Sequence, residues 1–158
     1  MTEPQFNGYP LQFVRSLLDL YDSSQTECDG MVRLCATALA HHAIPFTGHL
    51  GRVLVQHEDD SYQALPLHFW LTLSDDDQST LVVDYRLQCY VSRTGVGHGV
   101  FSPSQVSNVS YLSDSQFEMG VLPNFLVREL QLGWQHLQEK LPAGLELGDA
   151  QFLNCDQT

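Results

Sequence analysis

Residues 28–45, CDGMVRLCATALAHHAIP, predict one apolar helix with a cysteine at its first position. Apolar residues occur nearly all round this helix, which favours a central buried helix over a surface one. Two residue pairs near its start, Ser24 with Glu27 and Thr26 with Asp29, have the spacing of a capping box. Either pair would satisfy free N–H groups at the helix start. We therefore expect the rest of the chain to be built around this helix.

Cys28 is a candidate nucleophile because of its position at the start of the helix. The free N–H groups of the first turn and the positive end of the helix macrodipole favour the thiolate over the thiol. The alternative is that Cys28 is a small buried residue, which is the usual place of a free cysteine. The choice between the two depends on whether the fold brings a base to Cys28.

Residues 67–73 and 80–87, both rich in β-branched and aromatic side chains, predict a hairpin joined by the polar stretch SDDDQ. A hairpin symmetric about Asp76 places His68 directly opposite Asp84, with about 5 Å between their Cβ atoms. A slip of two residues keeps the pair as diagonal neighbours on one face, whereas a slip of one separates them. The sequence thus offers a nucleophile, a base and a carboxylate that orients the base.

This pattern resembles the transglutaminase-like core, a relative of the papain-type fold in which a cysteine opens a central helix. The matching residues are Cys28, Ala43-Ile44-Pro45 at the helix exit, His68-Phe69-Trp70, and Val82-Val83-Asp84. The chain departs from the family in having Ala43 for the usual glycine and Tyr85 where proline is common. The resemblance implies an α+β fold in which central N-terminal helices pack on an antiparallel β-sheet, with a C-terminal helix.

The resemblance also implies a cysteine-dependent enzyme that transfers the acyl group of an amide through a thioester and needs no cofactor. Cys28, His68 and Asp84 would be its catalytic residues. A peptidase, a deamidase and a transamidase all fit, with a protein, a peptide or a small amide or acyl compound as substrate. Three alternatives stay open. One is an acyltransferase resembling the arylamine N-acetyltransferases, which share the cysteine, histidine and aspartate order. The others are a non-catalytic binding module on the same fold and an effector that modifies a host protein.

Three further residues are candidates for contacts with the oxyanion or the substrate. In papain-like chemistry a side-chain donor joins the backbone N–H of the cysteine in the oxyanion hole, and Gln25 is placed for that role or is a solvated loop residue. Trp70 lies on the same strand face as His68 and either walls the site or belongs to the core. His98, in the glycine-rich segment 92–103, is a substrate contact, a second acid or base, or an exposed turn residue.

Composition and charge limit the partners. The chain has 158 residues, enough for a single domain over residues 1–158, and a net charge of −12 with only 7 Lys and Arg. Without a basic patch, nucleic acid and anionic membranes are not expected partners, whereas an acidic surface suits a basic partner or substrate. The histidines lack the spacing of a metal motif, so no metal site is expected. No signal peptide or membrane-spanning run is present, and the four cysteines lack a disulfide-like framework, so we expect a cytoplasmic, reducing location.

The remaining segments carry coarser predictions. The sequence predicts an irregular arm at 1–10, an amphipathic helix at 11–21, a strand at 52–56, an exposed loop at 57–66, a continuation of the Asp84 strand through 87–91, and a strand at 106–112. Residues 123–141 predict a helix that begins at Pro123, and its apolar stripe suits either the core or the contact face of a homodimer. Residues 143–158 are expected to form a loose tail.

Overall fold

The chain folds into mixed α+β structure around a five-stranded antiparallel sheet. The computed structural model describes residues 3–91 and 96–139, with side chains up to residue 132. In these ranges the elements follow in the order β1 Gln5–Phe6, β2 Tyr9–Pro10, α1 Leu11–Asp19, α2 Cys28–His41, β3 Phe46–Gln56, β4 Tyr62–Ser74, β5 Thr80–Asp84, α3 Leu87–Tyr90, β6 Gly99–Phe101, a 3-10 turn Pro103–Gln105, β7 Val109–Phe117 and α4 Asn124–Glu139.

The sheet has the strand order β6-β5-β4-β3-β7, and each strand is antiparallel to its neighbours. Strand β7 pairs with β3 at one edge, and β6 pairs with β5 at the other. Strands β4 and β5, which carry His68 and Asp84, are therefore interior strands. Interior strands are paired on both sides, so the side chains that they carry are held on a firm frame.

Helix α2 packs on one face of this sheet, as its apolar pattern predicts. Every residue from Gly30 to Leu39 is buried except Arg33. Together with α1, these residues form one core with the sheet residues Leu71 and Val83. A second core lies around the alternate sheet residues, among them Trp70, Val82 and Phe101. Because side chains alternate along a strand, the two cores occupy opposite faces of the sheet.

Several element predictions are confirmed, and others need new boundaries. Helices α1 and α2, the hairpin of β4 and β5, and a helix starting beside Pro123 are all present. The arm at 1–10 is not irregular throughout, because β1 and β2 form a short hairpin. Strands β3 and β7 differ from the predicted ranges 52–56 and 106–112. The tail at 143–158 lies outside the described residues.

The loop predicted at 57–66 is wrong in its second half, since β4 begins at Tyr62. Pro66 lies within this strand. It falls where the pairing of β3 with β4 shifts register between Gly51 and Val53. A β-bulge leaves a residue out of the hydrogen-bond ladder, so the N–H that proline lacks is not needed.

Two local predictions around the site are also wrong. The strand does not continue through 87–91, because α3 forms there instead. The Asp84 Oδ1 atom accepts the backbone N–H groups of Arg86 and Leu87, each at 3.0 Å, and this turns the chain out of the sheet. Neither capping box forms at α2, whose N-cap residue is Glu27 and whose N-cap makes no side-chain hydrogen bond.

The close contact of β3 with β7 at Gly51 generates a stability prediction. A Cβ atom at Gly51 would lie 2.1 Å from the Leu112 carbonyl oxygen and 2.9 Å from the Asp114 nitrogen, both of which are backbone atoms. We expect Gly51→Ala to lower the free energy of unfolding by at least about 2 kcal/mol in urea titration, because β7 must move. The matched control is Gly120→Ala, since nothing lies within 4 Å of a Cβ there. Equal unfolding midpoints for the two variants would contradict this packing.

Candidate active site

His68 and Asp84 form a buried, hydrogen-bonded pair. The His68 Nε2 atom lies 2.7 Å from Asp84 Oδ2, and the two side chains are 0% and 1% exposed. The pairing of Leu71 with Val83 shows that the hairpin is shifted by two residues from symmetry about Asp76. The directly opposed arrangement is therefore wrong. The diagonal arrangement, which a slip of two residues preserves, is the one that forms.

The Asp84 carboxylate accepts four hydrogen bonds. Oδ2 accepts from His68 and from the hydroxyl of Tyr111 on β7 at 2.9 Å. Oδ1 accepts from the backbone N–H groups of Arg86 and Leu87. Burial, and then the charge and hydrogen bond of Asp84, raise the pKa of Tyr111, so its hydroxyl remains a donor. A carboxylate held by this many donors cannot turn, so it fixes the orientation of the imidazole.

Aromatic rings hold the His68 imidazole from two directions. Trp70 stacks on it with 6.3 Å between ring centroids and 19° between planes, and Tyr90 of α3 approaches edge-on at 5.8 Å and 76°. On its far side, Trp70 stacks on His49 at 5.3 Å. Trp70 is thus both a core residue and a wall against the His68 ring.

His49 is a structural histidine. Its two ring nitrogens each lie 2.8 Å from a hydroxyl oxygen, on Ser113 and Thr72. Burial lowers the pKa of His49, which favours the neutral ring. A neutral imidazole with both nitrogens occupied supports Trp70 without adding charge beside the site.

Cys28 lies at the first residue of α2, half-buried, next to His68. Burial lowers the pKa of His68, but the charge and hydrogen bond of Asp84, with smaller contributions from Cys28, raise it to about 9. The second ring nitrogen, Nδ1, is buried and makes no hydrogen bond of ordinary geometry within the described residues. Contacts between a nucleophile and its base are often long before substrate binds. We therefore assign Nδ1 to the Cys28 thiol and Nε2 to Asp84.

Arg86 fixes the loop that leads to Cys28. This residue is 2% exposed, and its guanidinium donates to three backbone carbonyls of the loop. The acceptors are the oxygens of Thr26 at 2.8 Å, Ser24 at 2.8 Å and Asp22 at 3.2 Å. The loop before Cys28 is thereby bound to the residue two positions after Asp84.

The two remaining candidates, His98 and Gln25, lie on the rim. His98 Nε2 is 2.8 Å from Asp22 Oδ2, and its ring contacts Tyr85 edge-on, so it pairs with the loop before Cys28. Gln25 is exposed, and its backbone N–H donates to the Gln131 carbonyl of α4 at 3.2 Å. The structure places Gln25 on the loop before Cys28, but its side chain makes no hydrogen bond within the described residues.

Sequence reasoning did not identify Tyr111, Arg86 or Tyr90. Tyr111 lies 27 residues after Asp84, and no local pattern joins them. Arg86 carried a signal, because a cationic residue beside buried apolar ones needs several acceptors. The sequence predicts a strand at Tyr90, in which side chains alternate between the two faces of the sheet. The helical turn that forms instead places the Tyr90 ring against His68.

The cysteines differ in state. Cys28 and Cys35 are free, and burial raises the pKa of Cys35, so Cys35 is an inert thiol of the core. Cys89, expected to pack in a strand, is disulfide-bonded.

Two other features concern metals and membranes. Within residues 3–91 and 96–139, no group of three His, Cys, Asp or Glu side chains is placed to hold a metal ion. Across the same described ranges, no helix combines the length and apolarity needed to cross a membrane.

Comparison of the chain with protein-family models, curated proteins and solved structures returns no match. A functional assignment therefore depends on the geometry of the site.

The raised pKa of His68 generates a prediction about stability and pH. The ring has a pKa of about 9 in the folded chain, against 6.5 as its ordinary value. The stability that His68 contributes to the fold is fully present below pH 6.5 and is lost as pH rises through 9, because only the protonated ring is stabilised by folding. We expect the free energy of unfolding of the wild type, measured in urea, to fall between pH 6.5 and pH 9 by on the order of 3 kcal/mol more than that of His68→Gln. His41→Gln, at an exposed position, is the control and should follow the wild type. Parallel curves for wild type and His68→Gln would refute the raised pKa.

Proposed function

We propose that this protein is a cysteine-dependent enzyme that transfers the acyl group of an amide through a thioester on Cys28. The observation that carries the proposal is that the two nitrogens of the His68 ring have different neighbours. Nε2 binds Asp84, and Nδ1 is buried beside Cys28. A nucleophile, a base and an orienting carboxylate in this arrangement are what nucleophilic acyl transfer requires.

The proposed reaction begins with the Cys28 thiolate and the protonated His68 ring. The thiolate attacks the acyl carbon, a C–S bond forms, and the π electrons of the carbonyl move to its oxygen. The C=O bond then re-forms as the C–N bond breaks. His68 gives its proton to the departing amine, and a thioester remains on Cys28.

The second half of the reaction reverses the role of His68. The ring, now neutral, takes a proton from a second nucleophile as it attacks the thioester. The Cys28 thiolate leaves, and the ion pair with His68 is restored. Water as the nucleophile makes the enzyme a peptidase or deamidase, and an amine makes it a transamidase.

The pKa of His68 supports this sequence. At about 9, it keeps the ring protonated at neutral pH, so a proton is ready for the leaving amine. The same ring is a strong base once it has lost that proton. Asp84 keeps the imidazole oriented throughout the reaction, because it is held by hydrogen bonds from β7 and from the backbone after β5.

We propose further that the chain has a transglutaminase-like fold. A helix that starts with Cys28 packs on an antiparallel sheet, and neighbouring strands supply His68 and Asp84. Within this proposal the substrate is a protein, a peptide or a small amide. An acidic chain with net charge −12 favours a cationic substrate or acceptor.

The test is alkylation of Cys28 by iodoacetamide as a function of pH, read by peptide mass spectrometry. We expect wild-type Cys28 to be labelled rapidly at pH 6–7, where an ordinary thiol with a pKa of about 8.5 is mostly protonated. His68→Ala should slow labelling at this pH by about tenfold or more, because the imidazolium that stabilises the thiolate is gone.

Cys35 is an internal control on the same helix, since it is 1% exposed and should stay unlabelled in the folded protein. Slow labelling of Cys28 in both wild type and His68→Ala would show that Cys28 is structural. The chain would then be a binding module.

A further inference from the structure

Tyr90 is held beside the candidate nucleophile by the same carboxylate that orients His68. Asp84 Oδ1 accepts the N–H groups of Arg86 and Leu87 and so starts α3, whose last residue is Tyr90. From β4, the Gln63 side chain donates to the Tyr90 carbonyl at 3.3 Å. The Tyr90 ring meets the His68 ring edge-on at 5.8 Å. These contacts fix the backbone at Tyr90 and pack its ring on His68.

The Tyr90 ring packs on His68, the neighbour of Cys28, and its hydroxyl lies close enough to Cys28 to interact with it. It interacts with the Cys28 side chain and with the Cys28 backbone. The Cys28 backbone N–H opens a helix and has no acceptor within it, so it can donate outside the helix, to the Tyr90 hydroxyl or to an oxyanion that forms beside it. Burial, and then the negative charge of Cys28, raise the pKa of Tyr90. Its hydroxyl therefore keeps its proton and is a donor at neutral pH.

Gln25 is the competing candidate, and its placement is weaker. It is exposed, and in the described part of the chain its side chain makes no hydrogen bond that would aim the amide at Cys28. Its backbone N–H is already used by the Gln131 carbonyl. Tyr90, in contrast, is packed against the base and faces the nucleophile.

We infer that the Tyr90 hydroxyl is the side-chain donor of the oxyanion hole, beside the backbone N–H of Cys28. This inference rests on the proposed acyl transfer. When the thiolate adds to the acyl carbon, the C–S bond forms and the carbonyl electron pair moves to oxygen. Both donors then bind the new oxyanion without losing their protons. They release it when the C=O bond re-forms and the leaving group departs.

Two reagents that react with the same sulfur separate this role from a structural one. p-Nitrophenyl acetate acylates Cys28 through an oxyanion, whereas iodoacetamide alkylates it by displacement at carbon with no oxyanion. We expect Tyr90→Phe to slow acetylation of Cys28 about a hundredfold, the usual cost of losing one oxyanion donor. Alkylation should stay within about twofold, because the ring still packs on His68. The readouts are p-nitrophenolate release in the first turnover and peptide mass.

Tyr85→Phe is the matched control, since it removes an interior hydroxyl that donates to Asp19 on α1 at 2.6 Å. It should keep both rates. If Tyr90→Phe does not fold, as judged by circular dichroism, the pair Tyr90→Gln and Tyr90→Leu takes its place. The amide donor of Gln should support faster acetylation than Leu at equal alkylation.

The outcomes are distinct. Loss of acetylation alone in Tyr90→Phe, or faster acetylation in Gln than in Leu, supports the inference. Equal loss of both reactions, or loss of neither, overturns it. A wild type that is alkylated but not acetylated at Cys28 also overturns it while leaving the Cys28–His68 pair intact. A wild type that reacts with neither reagent refutes the proposed function itself.

Discussion

The arrangement of this site depends on the Asp84 carboxylate. Transferring a carboxylate into the protein interior costs several kcal/mol, and four donors, one of them the protonated imidazole, offset that cost here. The donors come from β4, from β7 and from the chain just after β5. The hydrogen bonds to this one carboxylate therefore hold three parts of the fold together. Removing the carboxylate would release the histidine and also the turn that starts α3.

A second constraint acts through Arg86, two residues further along. Its buried guanidinium donates to three carbonyls of the loop before Cys28, so this loop cannot move independently of the end of β5. Asp22 then joins Arg86 to His98 at the rim. Two neighbouring residues at the end of β5 therefore position the candidate site: Asp84 orients His68, and Arg86 holds the loop that leads to Cys28.

Local patterns were enough to predict much of this fold. The apolar residues of α2 indicate a buried helix whatever surrounds it, and the β-branched runs indicate the hairpin. The order of Cys28, His68 and Asp84 also indicates the candidate site. The register of the β4–β5 hairpin could not be predicted, because its polar link is compatible with more than one turn. The observed slip of two residues keeps His68 and Asp84 on the same face of the sheet.

The features that escaped prediction arise from contacts between distant segments or from side chains that cap the backbone. Tyr111 reaches Asp84 only because β7 pairs with β3 across the sheet. The end of β5 is set by a side-chain oxygen of Asp84, which overrides the strand propensity of residues 87–91. The position of Tyr90 beside Cys28 depends on that turn, so no local sequence pattern predicts it.

The most direct test of the account is nitrogen NMR of the His68 imidazole across a pH titration, in the wild type and in Asp84→Asn. The account predicts a ring that stays protonated up to about pH 9 in the wild type. In Asp84→Asn its titration should fall to pH 6.5 or below, because burial then acts without the opposing charge. A wild-type ring that titrates near pH 6.5, or a value that Asp84→Asn leaves unchanged, would contradict the central place given to this pair.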